Sequence, residues 1–164
     1  PLCTSVWVPS CGWTATRWIG GESAFTNLSV TAATVQVDSH NDPLGFTIQK
    51  PRGWEADRSG RLPGTPVASF VSPDRSEELA VERVDTMQEA LTRNGSATGP
   101  VTQLPDGRTE VTFQSDDRSS WRQVVPTESG ALWIVTLTVP RGTAGEESAE
   151  LFKRLAESFY PTTA

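Results

Sequence analysis

The stretch that most limits what this chain can fold into runs from Asp42 to Trp54, D-P-L-G-F-T-I-Q-K-P-R-G-W. Phe46 and Ile48 fall on one face of an extended segment and Thr47 and Gln49 on the other, the period-two pattern of a half-buried strand. Pro51 closes the strand, and Arg52-Gly53 turns the chain onto a tryptophan. Each residue type here serves a turn, a strand face or a core anchor. None of them is a catalytic device.

Regular signals continue from there. Val67 to Val71 reads as a second strand bounded by Ser72-Pro73-Asp74, and Leu79 to Val84 as a third. Thr86 and Glu89 have the S/T-x-x-E spacing of a capping box. They open a helix of about two turns, with Met87, Ala90 and Leu91 on one face and Asn94-Gly95 as the stop. Val101 to Leu104 and Thr109 to Ser115 flank an Asp106-Gly107 hairpin turn. Two further strands are expected at Trp121 to Val125 and Leu132 to Val139. The latter is apolar on both faces at Leu132, Trp133, Ile134, Val135, Leu137 and Val139, which predicts a central position.

Ser148, Leu151, Phe152, Leu155, Ala156 and Phe159 then form one apolar stripe that ends before Pro161. Thr143 and Glu146 repeat the capping-box spacing ahead of it. An amphipathic helix of this kind must bury its stripe against a sheet. The prediction is an α+β domain: an antiparallel sheet of five to seven strands, a short middle helix and a longer C-terminal helix.

The D-P-x-G-F-x-x-x-x-P-x-G-W opening at 42–54 and the closing helix with Phe152 and Ser158-Phe159 resemble the PsbP-like superfamily. The resemblance covers residues 42–160, and its motifs anchor turns and core. It implies an α/β sandwich of the kind found in small lumenal, periplasmic and lipoprotein domains. The excess of Arg over Lys and the 42–54 phrase look most like actinobacterial lipoprotein domains and the extracellular C-terminal domains of membrane-anchored serine/threonine kinases. In such proteins a Thr/Ser/Ala-rich linker precedes the domain, as residues 26–40 do here, and an anchor lies upstream.

Residues 1–40 differ in composition from the remainder of the chain. Arg17 and Glu22 are the sole charges before Asp38, and Trp7, Trp13, Trp18 and both cysteines lie there. The expected organisation is an appendage or linker over 1–40, a folded domain over 41–161 and a tail over 162–164. Cys3 and Cys11 are a disulfide candidate in an oxidising compartment and free thiols otherwise. The start at Pro1, with Met87 the sole methionine, reads as a processed or excised form or as one whose initiator Met was removed.

With 164 residues, the chain can bury roughly 70% of its unfolded surface in one domain. Its net charge of -6 contains 12 Arg and 2 Lys without a basic run, which argues against nucleic-acid binding. No window reaches the roughly 20 apolar residues that span a bilayer, so no membrane insertion is expected of the chain as given.

Chemistry is sparsely provided for. His40 is the single histidine, in Asp38-Ser39-His40-Asn41-Asp42, and reads as a solvated linker residue rather than the base of a triad. No metal site, cofactor or phosphate loop is expected. The acidic pairs Glu77-Glu78, Asp116-Asp117 and Glu146-Glu147 each have a structural explanation at a strand start, a turn or a helix N-terminus. Surface recognition remains. Trp121, Arg122, Trp133 and Trp54 are the candidate ligand-binding residues, set against the commoner fate of strand tryptophans in the core. The expected function is a non-enzymatic, extracytoplasmic binding, sensor or accessory domain for a protein or small ligand. Two alternatives stand beside it: an intracellular adaptor, since the superfamily also resembles a Ran-binding transport factor and secretion-accessory proteins, and a carboxylate-only hydrolase.

Overall fold

The computed structural model describes residues 35–57, 67–93, 95 and 97–162. Ten strands and two helices lie among them: β1 (Val37–Asp42), β2 (Phe46–Pro51), β3 (Glu55–Ala56), β4 (Val67–Val71), β5 (Glu78–Val84), α1 (Met87–Thr92), β6 (Thr102–Gln103), β7 (Thr109–Gln114), β8 (Arg118–Pro126), β9 (Leu132–Pro140), α2 (Glu146–Glu157) and β10 (Tyr160–Pro161). They form two antiparallel sheets. The larger has seven strands in the order β3-β4-β5-β9-β8-β7-β6, so β9 is central as its two apolar faces require. The smaller has the order β1-β2-β10 and takes the Phe46 strand out of the main sheet.

The residues of the 42–54 stretch act as turn and anchor. Asp42 accepts a hydrogen bond from the Leu44 amide at 2.9 Å, and Gly45, at φ +92°, donates to the Asp42 carbonyl at 3.0 Å. Trp54 N–H donates to the Pro51 carbonyl at 3.2 Å across Gly53, whose φ of +85° suits the third position of a type II turn. Phe46 and Ile48 point inward and are fully buried.

Register assigns the faces. Trp121 stands opposite Leu137 and Thr112, and Gln123 opposite Val135 and Glu110, so these six share one face. That face carries the main core, in which Phe70, Leu79, Val81, Trp133, Val135 and Leu137 meet Phe46 and Ile48 from β2 and Phe152, Leu155 and Phe159 from the C-terminal segment. The opposite face holds a smaller cluster of Val84, Val124 and Ile134 under Ala90 of α1.

Three local expectations need correction. Residues 37–40 are not linker: β1 pairs with all of β2, and His40 lies opposite Ile48 with its ring 4.7 Å from that of Phe70. Its Nε2 is 3.1 Å from Asp42 Oδ2. The polar side chains of β1 give no apolar alternation to read, because backbone pairing with β2 holds the strand in place. The second capping box does not form either. A 3-10 turn at Arg141–Thr143 takes Thr143, whose hydroxyl donates to the Pro140 carbonyl at 2.9 Å, and Gly145 becomes the N-cap. Met87, expected on the apolar face of α1, is exposed. The first capping box is present in modified form: Thr86 Oγ1 accepts from Glu89 N–H at 3.1 Å, while the Glu89 carboxylate reaches back to the Asp85 amide. Cys3, Cys11 and the rest of 1–34 lie outside the described residues.

The β4–β5 loop contains an acid-sensitive contact. Asp74 accepts hydrogen bonds from Ser72 Oγ at 2.6 Å, Ser76 N–H at 3.1 Å and Ser76 Oγ, and these lower its pKa from 3.8 to about 2. A carboxylate with a depressed folded-state pKa adds stability that is present above the unfolded value and lost as pH falls through the folded one. Glu77 in the same loop is shifted the opposite way, by burial and then by the Asp74 charge. Asp74→Asn should therefore remove the part of the stability loss that falls between about pH 4 and 2. Denaturant midpoints across that range, wild type against variant, provide the check; parallel curves would contradict it.

Candidate functional site

The β6–β7–β8 flank of the main sheet extends beyond the cover that α2 provides. This leaves a groove of about 690 Å³ between the helix and those strands. Trp121, Thr112 and Glu110 contribute from the sheet, Leu104 from the β6–β7 connection, and Ala149, Glu150, Phe152, Lys153 and Glu157 from the helix. Phe152 is buried and Trp121 is partly exposed, so the apolar bottom of the groove is accessible to a ligand.

One wall is held by a chain of hydrogen bonds. The Arg108 guanidinium donates to Asp106 Oδ2 through Nε at 3.0 Å, and to Gln123 Oε1 and the Ala156 carbonyl, each at 3.0 Å. Gln123 Nε2 then donates to Glu110 Oε1, also at 3.0 Å. Arg108 thus ties the hairpin to the C-terminal turn of α2, where carbonyls lack helical donors and a cation complements the dipole. The wall is held by bonds within the chain itself.

The four candidates from sequence separate. Trp121 lines the groove. Trp133 is 3% exposed and packs between Phe46 and Phe159, while Trp54 is 7% exposed in the same core. Neither indole presents a surface. Arg122 forms part of the groove wall, but alternation sends its side chain to the other face of the sheet. There its guanidinium donates to Thr136 Oγ1 at 3.1 Å, to the Ala90 carbonyl at 2.7 Å and to the Arg93 carbonyl at 2.9 Å, and lies 4.3 Å from the Phe113 ring centre. It fastens the end of α1 to the sheet.

Reading from sequence missed Arg108, Glu150, Lys153 and Glu157. The one available signal was that 150, 153 and 157 are spaced three and four apart beside the apolar stripe, so they share the helix flank next to the core.

Among the described residues no group of three or more His, Cys, Asp or Glu side chains is placed to hold a metal ion, and no helix is long and apolar enough to cross a membrane. No protein-family model matches the chain, and no curated protein matches it. Solved structures do. Cyanobacterial PsbP (CyanoP) from Synechocystis superposes with a TM-score of 0.51 at 20% identity, over 80% of this chain and 95% of that one. The chain has a PsbP-like fold. The Saccharomyces cerevisiae Ran-binding protein Mog1p shares it, with a TM-score of 0.59 at 11% identity, over 79% of this chain and 97% of that one. At such identities the PsbP-like fold carries over and the functional residues do not.

Proposed function

We propose that this PsbP-like domain is a non-enzymatic binding or accessory module that works outside the cytoplasm and receives a partner protein in the groove between α2 and the β6–β8 flank. The observation that carries the reading is the groove itself: an open concavity with an accessible aromatic bottom and a wall prearranged by Arg108. An aromatic anchor inside a polar rim is the usual anatomy of a protein-binding hot spot. Two of its carboxylates, on Asp106 and Glu110, are engaged by Arg108 and Gln123, which suits them to holding shape rather than moving protons.

The test is obstruction of the groove. Ala149→Arg places a good helix former with a long side chain at the rim, and it should weaken capture of the native partner from extracts of the source cells at least tenfold without moving the unfolding midpoint. Full retention would place the binding surface elsewhere.

The fold of Mog1p, which is named for binding Ran, favours a second reading as an intracellular adaptor. Intact mass of the protein from its own source separates the two. A Cys3–Cys11 disulfide or a lipid adduct supports the extracytoplasmic module, and free thiols on an unmodified chain support the adaptor.

A further inference from the structure

We infer that the occupant of the groove is a cationic segment of a partner protein, one that presents Arg or Lys beside an apolar side chain. The inference rests on the groove reading above and adds the chemistry of the guest. Asp106, Glu110, Glu150 and Glu157 stand around the groove against Arg108, Lys153 and Arg122, the last with its guanidinium bound to α1 carbonyls on the opposite face of the sheet. Arg108 is committed: its Nε is bound to Asp106, and its terminal nitrogen to Gln123 and the Ala156 carbonyl. That pair cancels, and the charges left to meet a guest are three carboxylates and one ammonium.

The surroundings add to the imbalance. Glu157 ends α2, where the partial negative charge of the helix terminus lies. The partly exposed Trp121 ring at the bottom of the groove can take an apolar side chain or a cation on its face. A net charge of -6 on the whole chain further favours approach of a positively charged partner over a negatively charged one. An anionic guest would have to pass three carboxylates to reach a single lysine. A purely apolar guest would desolvate those carboxylates with nothing but the neutral Gln123 amide on Glu110 to offset the cost.

Nitrogen-15 NMR of the full chain tests this, read at the indole N–H of Trp121, which is assigned by its loss in Trp121→Phe. The probes are capped peptides alternating Leu with Arg, with Gln or with Glu, together with spermidine as a cation lacking apolar side chains. The Arg peptide should shift the Trp121 signal. Its affinity should fall at least tenfold as ionic strength rises from about 0.01 to about 0.15 M, over which the Debye length shrinks from about 30 to about 8 Å. It should fall similarly in Glu150→Gln/Glu157→Gln, both changes being at exposed helix positions.

Equal binding of the Gln or Glu peptide at Trp121 would overturn the cationic guest and leave the groove reading standing. Spermidine matching the Arg peptide would overturn the requirement for a protein segment. An Arg peptide that shifts signals away from Trp121, or no binding by any probe, would overturn the inference, and the Ala149→Arg capture experiment then decides separately whether the groove is a binding site at all.

Discussion

Arg122→Met is expected to destabilise the domain by about 3–5 kcal/mol, the cost typical of breaking a buried charge network from one side. Arg122 is 2% exposed, the largest fully buried side chain among the described residues. Burial lowers its pKa, and the Glu82 charge opposes that shift. Three hydrogen bonds hold the guanidinium in place: one to Thr136 on β9 and two to carbonyls at the end of α1. Without Arg122 those carbonyls lose its N–H donors, and Glu82 loses a nearby positive charge while keeping its 3.1 Å pair with Arg93. A helix of six residues has too few internal hydrogen bonds to persist on its own.

The loss should therefore appear twice, as a lower denaturant midpoint and as faster amide exchange through Met87–Thr92. Arg122→Lys should not restore either, because one ammonium cannot reproduce the three-way fork. A stability within about 0.5 kcal/mol of wild type would show that the network is incidental, since that is the scale of an ordinary surface substitution.

Phe159→Ala should cost a similar amount, about 3–5 kcal/mol, as expected for an aromatic removed from a close-packed core. Phe159 is 1% exposed, and its ring centre lies 5.7 Å from that of Phe46 and 5.8 Å from that of Trp133, which are themselves 5.4 Å apart. These three rings come from the smaller sheet, the larger sheet and the segment after α2. Deleting one therefore loosens all three layers. The backbone is tied at the same place, since Gln49 N–H donates to Ser158 Oγ at 2.9 Å and β10 pairs with β2. Thermal or urea unfolding measures the effect, and an unchanged midpoint would mean that this end of the chain is not docked as described.

The groove and the Arg122 network lie beyond local reading for one reason. The groove joins residues 104–112, 121–123 and 149–157, and the network joins 82, 90, 93, 122 and 136. Trp121 and Arg122 adjoin in sequence and read as one patch, yet neighbours on a strand point to opposite faces. Which face is the open one depends on where each helix packs. Trp133 is ambiguous from sequence because β9 is apolar on both sides.

Local patterns in the sequence account for seven of the ten strands, both helices and the α+β class, whereas β1, β3 and β10 carry no such pattern. Strand alternation at Phe46–Ile48 and Val111–Phe113, the Asp106-Gly107 turn and the apolar stripe of α2 are local patterns, and each is set by contacts within a few residues. Long-range packing draws β2 out of the main sheet to pair with β1 and β10, puts Trp54, Trp133 and Arg122 in the interior, and stops α2 short of β6 and β7 so that a groove is left. Those outcomes depend on which surfaces meet across long sequence separations, and burial, not residue type, then sorts an aromatic or a charge into core or site.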